Sequence, residues 1–318
     1  MRHLVTGGAG FIGSALANRL YLEGHEVTVL DRMSRGKAER LHDGIRIWEA
    51  DVRDRMAVLG PVGSADVIWH LAYVQGTQTF YADPKDVISV ALLGVMNVLE
   101  AAESWQHKPD LFLVSSSEVY QNPPEYPTDE SVPLSVPDVT NPRYSYGGGK
   151  IASELAALAY AQAGVLGRTV IVRPHNVYGP DMGWEHVIPE FAERLKSIPG
   201  GLFPIQGSGE ETRSFCYIRD CIDGLMCLLE RGEDRQVYHL GNPAEEYSIG
   251  YLAGLMADIV DMEIVLEPGL LPAGSPVRRA PDIGKMRELG FDPTTPLASG
   301  LRATLEWYMG HDRPEVPA

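Results

Sequence analysis

Along the first half of the chain, short apolar runs alternate with longer stretches whose apolar positions recur every three or four residues. The runs are "HLVTG", "EVTVLD", "IRIWEAD", "DVIWHLA", "LFLVSSS" and "RTVIVRP". Between them lie amphipathic stretches at Phe11–Leu22, from about Pro84 to Ala102, and after Lys150. Continuous apolar runs suit strands buried on both faces, and the wider spacing suits helices packed on them. Strand and helix taking turns predicts an α/β fold with a doubly wound parallel sheet.

After Arg173 the rhythm loosens, and Gly and Pro gather in "PHNVYGPDMGW", "FPIQGSGEE" and "EPGLLPAGSPVRRAPD". Loops and short elements are expected there, beyond the strand ends where open α/β sheets bind ligands. The expected division is a dinucleotide-binding unit over 1–173, joined by about 213–240. A smaller C-terminal α/β unit for substrate spans about 174–212 and 241–310, and 311–318 reads as a tail.

The segment "TGGAGFIG" sets Gly7, Gly10 and Gly13 at G-x-x-G-x-x-G spacing, with Phe11 and Ile12 opening the helix that follows. Such glycines allow a tight turn, close approach of a pyrophosphate and close helix–strand packing, while the helix N-terminus supplies N–H donors. The next strand ends at Asp31, 18 residues past Gly13. A carboxylate there accepts hydrogen bonds from a ribose diol and repels a 2′-phosphate. The reading is a Rossmann-type unit that holds NAD. Arg32, directly after Asp31, pulls the other way, toward NADP.

Tyr146 and Lys150 are four residues apart and would share one helix face. A phenol titrates near 10, too high for a base at neutral pH, unless a nearby ammonium and a positive nicotinamide ring favour the phenolate. A Ser hydroxyl of "LVSSSEVY", at a strand's C-terminal end, can hold the substrate oxygen. Three glycines, Gly147–Gly149, stand between base and lysine, just ahead of the expected helix.

Composition narrows the class. The chain has 318 residues and a formal charge of −16, which argues against a general nucleic-acid binder but not against a polyanionic small molecule. No apolar run reaches membrane-spanning length and the start lacks a signal-peptide layout, so a cytoplasmic protein is expected. Cys216, Cys221 and Cys227 lack CxxC spacing, and the histidines are scattered; no metal site is expected.

At this point the sequence resembles the extended short-chain dehydrogenase/reductases, within them the NAD-dependent sugar-nucleotide epimerase/dehydratase family. The resemblance runs over nearly the whole chain. It rests on "TGGAGFIG", Asp31, "AD" at 50–51, "HLA" at 70–72, "SSSEVY", "YSYGGGK", "RPHNVYGP", "RSFCYIRD" and "RAPDIGKMRELGF". It implies tightly bound NAD, a nucleotide-diphosphate sugar as substrate, and a homodimer built on the helices near 84–104 and 147–163.

Residue by residue, the resemblance implies Ser116 as the catalytic hydroxyl, Tyr146 as the base and Lys150 as its partner and ribose ligand. Asp51 and Val52 would flank the adenine, and Leu71 and Ala72 would line the dinucleotide path. Ser116 and Ser117 would meet the sugar, Asn176 and Arg213 the diphosphate, with Arg278 or Arg279 adding a second cation. Two departures stand out. Gly148 and Gly149 replace larger residues, leaving room for a bulky sugar or permitting close helix packing at a subunit interface. Ala91 stands where an Asn is usual.

The family's members share oxidation of a sugar carbon and then diverge. Ser117 and Glu118 occupy the positions that hold an Asp-Glu pair in the dehydratases; without the Asp, 4-epimerisation is the expected reaction. Decarboxylation or dehydration through Glu118 stays open as the alternative. A non-catalytic dinucleotide sensor would be expected to lose the Ser-Tyr-Lys set, which this chain keeps. Trp184, Glu185 and His186 are either sugar contacts or a self-satisfied loop cluster.

Overall fold

The computed structural model describes residues 1–198, 201–271 and 274–313. Most of the tail expected at 311–318 lies outside them. The first six apolar runs become strands β1 (Arg2–Thr6), β2 (Glu26–Asp31), β3 (Arg46–Glu49), β4 (Val67–His70), β5 (Asp110–Val114) and β6 (Thr169–Pro174). Short strands follow: β7 (Val177–Tyr178), β8 (Gly201–Ile205), β9 (Thr212–Ser214), β10 (Cys216–Tyr217), β11 (Gln236–Leu240), β12 (Glu246–Ser248), β13 (Ile264–Pro268) and β14 (Arg278–Arg279). The large sheet is seven-stranded and wholly parallel, in the order β11-β6-β5-β4-β1-β2-β3.

Helices α1 (Phe11–Leu22), α2 (Arg55–Ser64), α3 (Thr77–Ala82), α4 (Pro84–Glu103) and α5 (Tyr144–Gln162) connect these strands. After β6 come α6 (Val187–Ser197), α7 (Ile218–Arg231), α8 (Ile249–Ile259), α9 (Gly284–Glu288) and α10 (Leu297–Gly310). One face of the sheet is covered by α1 and α7, whose Leu16, Leu20, Leu225 and Leu228 are fully buried in one core. The other face carries α2, α4 and α5, with Val58, Val98, Leu99 and Ala157 buried. This is the doubly wound Rossmann arrangement. A third core, from α6, α8, α10 and β8, gathers Phe191, Phe203, Met256, Leu301 and Tyr308.

The order reverses between β1 and β4, and both strands end at the mouth where β5 also stops. Strand polarity alone therefore delivers Gly7, Leu71 and Ser116 to one crevice. The α5 boundary departs from the expected one. The helix begins at Tyr144, so Gly147–Gly149 lie inside its first two turns rather than ahead of it.

Candidate functional site

A cleft of about 700 Å³ runs along the C-terminal ends of the strands. The half that could hold a cofactor is built from backbone. Gly7 sits at φ +69°, and a Cβ there would lie 2.8 Å from the Leu71 carbonyl and the Ala72 amide. At Gly13 a Cβ would meet the Gly7 carbonyl at 2.3 Å, so α1 can lie this close to the turn only without side chains. Gly10 is the N-cap of α1, and no side chain caps the helix. The amides opening with Phe11 and Ile12 are left facing the cleft, as a pyrophosphate requires.

Asp31 ends β2 beside this turn. Its carboxylate accepts from the Ala9 amide at 3.0 Å and the Met33 amide at 2.9 Å, which fixes it against the glycine loop. Arg32, Asp51 and Val52 line the same end, and Leu71 and Ala72 continue the wall. Asp51 is bound by Arg53 at 2.6 Å, and that guanidinium holds its carboxyl below the usual range.

The groups that could do acid–base chemistry come from β5 and α5. Ser116 follows β5, and Tyr146 and Lys150 sit one turn apart on α5; all three line the cleft. Sequence reasoning has the lysine favour the phenolate directly. The structure strikes a different balance. Lys150 Nζ donates to the Val114 carbonyl at 2.5 Å and rests 2.9 Å from the Tyr73 ring centroid, against 5.6 Å for the Tyr146 ring. Burial pushes the ammonium well down. Burial likewise pushes the Tyr146 phenol up, and the Glu118 charge adds to that, while the Ser116 hydroxyl and Arg279 oppose it. The chain alone therefore keeps the Tyr146 phenol protonated.

The glycines between them are explained by packing. A Cβ on Gly147 would lie 2.9 Å from the Glu118 carbonyl oxygen, so its absence lets the Ser116–Glu118 turn lie on α5. A Cβ on Gly149 would lie 2.7 Å from that of Ala91 on α4. The two departures thus form one contact between small residues, which brings α4 and α5 together within the chain. Neither Gly148 nor Gly149 lines the cleft.

At the far end of the cleft, where a sugar is expected, the Glu118 side chain is one-fifth exposed and lies 3.0 Å from Arg279 Nη2. Burial raises its carboxyl, yet Arg279, Arg143 and Arg213 together hold it below the ordinary value, so it is ionised. Arg213 donates to the carbonyls of Thr212 at 2.7 Å and Pro276 at 2.6 Å. Ser117 and Asn176 also line the cleft, the latter fixed by its amide on the Ser214 carbonyl at 2.9 Å. Arg278 does not join them. Successive strand residues point to opposite faces, and Arg278 turns away to Glu246 at 2.7 and 2.9 Å.

Arg143, three residues ahead of the base, was not singled out by sequence reasoning. Its signal was helical spacing to Tyr146, hidden because the helix starts earlier than expected. Of the loop cluster, Glu185 and His186 line the cleft, whereas Trp184 packs on Trp307 and Tyr308. Among the described residues no group of acidic, His and Cys side chains could hold a metal, and no helix is long and apolar enough to cross a membrane.

Behind the site lies a buried polar chain. Glu154, one turn past Lys150, accepts from Ser115 Oγ at 2.5 Å and from Arg173 at 2.6 and 3.0 Å. Arg173 donates to the Tyr120 hydroxyl, which donates to His239 Nε2 at 2.6 Å; His239 Nδ1 donates to the Asp282 carbonyl at 3.0 Å. That carbonyl can only accept, which fixes the imidazole's tautomer and the direction of the chain.

Comparison with known proteins agrees with this geometry. The profile of the NAD dependent epimerase/dehydratase family matches residues 3–241. A UDP-glucuronic acid decarboxylase 1 of Xenopus tropicalis is 33% identical over 316 residues, covering 96% of this chain and 72% of the relative. A UDP-glucose 4-epimerase of Thermus thermophilus, solved in complex with NAD, superposes at TM-score 0.86 with 28% identity, covering 98% and 99% of the two chains. The dTDP-glucose 4,6-dehydratase DesIV of Streptomyces venezuelae, solved with NAD, also reaches 0.86, with 30% identity over 98% and 97%.

Proposed function

The chain belongs to the NAD-dependent epimerase/dehydratase family, and on that premise we propose that it epimerises a nucleotide-diphosphate sugar through a transient 4-keto sugar. NAD, when bound, supplies the hydride acceptor and later the donor. The glycine turn, the uncapped α1 N-terminus and Asp31 would hold it. Tyr146 takes the proton of the sugar hydroxyl, Ser116 orients that hydroxyl, and Lys150 supports both the base and the ribose. Because burial pushes the phenol up, proton removal depends on positive charge arriving beside Tyr146 with the cofactor.

One observation carries the choice of reaction. Three guanidinium groups, Arg279, Arg143 and Arg213, bear on the ionised Glu118, and Glu211 acts on Arg213, so guanidinium outnumbers carboxylate there. A diphosphate meets that positive charge without a further charge on the sugar. Glu118 held as a carboxylate is also a poor proton donor for expelling a hydroxyl, which speaks against dehydration. The second reading is decarboxylation of a uronic acid, favoured by the contact between Glu118 and Arg279 and by the likeness to a UDP-glucuronic acid decarboxylase.

The test is a panel of UDP-, GDP-, ADP-, CDP- and dTDP-sugars, including uronic acids, followed by NMR and mass. A product of unchanged mass with one inverted carbon supports epimerisation. Loss of carbon dioxide or water moves the assignment to decarboxylase or dehydratase.

A homodimer in the cytoplasm accompanies this reading. The outer faces of α4 and α5 expose Leu92, Leu93 and Leu155, the last 66% exposed. Leu155→Arg is expected to give a monomer by light scattering if this face pairs two copies.

A further inference from the structure

The cofactor end of the cleft holds cations beside Asp31 whose partners decide what they can bind. Arg32 follows Asp31 directly, where a guanidinium can grip the 2′-phosphate that distinguishes NADP. Its donors are already engaged. Nη1 and Nη2 reach the two oxygens of Asp86 at 3.2 and 2.8 Å, and Nε donates to Ser34 Oγ at 2.9 Å. Asp86 also accepts from Arg53 Nη1 at 2.8 Å, and Arg53 closes on Asp51 at 2.6 Å. Asp51 itself lies 3.6 Å from Arg32. Two arginines and two aspartates thus form a closed, neutral ring.

The anchor of the ring is rigid. Asp86 stands in the first turn of α4, with its amide donating to the capping Asp83 carboxylate at 3.0 Å. On the opposite flank Lys37 and Arg40 are closed in the same way on Asp181, at 2.9 and 2.6 Å. Each of these cations near Asp31 therefore already has a carboxylate.

We propose that Asp86 is a specificity-determining residue for the cofactor, acting through Arg32: it withholds the guanidinium that would otherwise bind a 2′-phosphate. Asp31 alone does not accomplish this. A free Arg32 beside it would leave the pair near neutral, and the repulsion of a phosphate would be largely cancelled. With Arg32 drawn onto α4, the Asp31 charge stands uncompensated at the ribose. The inference rests on the dinucleotide reading of the cleft and concerns which dinucleotide is refused.

Calorimetric titration of the nucleotide-free full chain with NAD⁺ and NADP⁺ tests it. In Asp86→Asn the affinity for NADP⁺ relative to NAD⁺ is expected to rise about tenfold, the weight of one charge-assisted hydrogen bond. Adding Arg32→Ala should abolish that gain, and Asp86→Glu should keep the native preference. A merely structural role would lower both affinities together, and that result overturns the proposal, as does an unmoved ratio. Arg32→Ala alone gives an independent check: the ratio should not change, and a fall in NADP⁺ affinity would show that Arg32 already reaches the phosphate. Failure of the native chain to bind either nucleotide would instead overturn the dinucleotide reading itself.

Discussion

The two ends of the cleft differ in how their charges are settled. At the cofactor end four cations, Arg32, Arg53, Lys37 and Arg40, meet the four carboxylates Asp31, Asp51, Asp86 and Asp181, three of which bind them directly. At the sugar end Arg143, Arg213 and Arg279 bear on Glu118, while Glu211, which also acts on Arg213, is turned onto the Ser208 and Gly209 amides. On the proposed reading the first end binds with backbone amides and shape, with its side-chain charge already paired. The second keeps more guanidinium than carboxylate and would bind by charge. A site prepared for an anion announces itself as unpaired cations, whereas one prepared for backbone recognition announces itself as missing side chains.

Tyr146→Phe separates the ends most sharply. Turnover should fall about 10³-fold, within the range for losing a positioned acid–base group. NAD⁺ binding should survive, read by calorimetry against stopped-flow reduction of the nucleotide. Equal loss of both would mean that the two ends are not independent. Arg279→Met comes next. It leaves the Glu118 carboxylate short of its nearest counter-ion, and nucleotide-sugar affinity should fall about 10²-fold, the cost of breaking a buried charge pair. Glu118→Gln in the same background should restore part of it; no recovery would deny that the pair is coupled.

At the cofactor end Gly13→Ala drives a methyl onto backbone, the Gly7 carbonyl, so it cannot be absorbed by a rotamer change. A loss of about 1–3 kcal/mol is expected in denaturant unfolding, accompanied by weaker NAD⁺ binding. Unaltered binding would mean that the turn shifts freely.

The last effect concerns pH, and it acts on stability rather than on binding at either end. Burial depresses His70 to about 3 and His239 to about 4, and lowers His175, from an ordinary value of 6.5. Between those limits the unfolded chain binds more protons than the native one, so stability rises with pH. Each such histidine contributes about 1.4 kcal/mol per pH unit in that window. The melting temperature should therefore fall steadily from pH 6.5 toward 4. A flat profile there would mean that these imidazoles take up protons in the folded state.

Much of the cofactor end was legible in order along the chain. Gly7, Gly10, Gly13 and Asp31 lie within 25 residues, and local spacing fixes both the turn and the helix behind it. Tyr146 and Lys150 were legible for the same reason, through a single helical turn. The glycines between them were misplaced by a few residues, because a triple glycine reads as a helix breaker. Only the contact between Gly149 and Ala91 shows why it is tolerated inside one.

The sugar end was legible only as a set of candidates. Arg278 and Arg279 are equivalent in sequence; strand alternation in β14, paired to β9 in a given register, sends one to the cleft and the other to Glu246. Arg32 reads in sequence as a hint of NADP, and its partner Asp86 lies 54 residues away on α4, out of reach of any local pattern. Periodicity and glycine spacing, which act over a turn or a strand, determined the sheet, the glycine turn and the shared helical turn of Tyr146 and Lys150. Which charges end up paired was decided by the tertiary structure, because an ion pair depends on distance in space, and no local pattern records the distance between residues on separate elements.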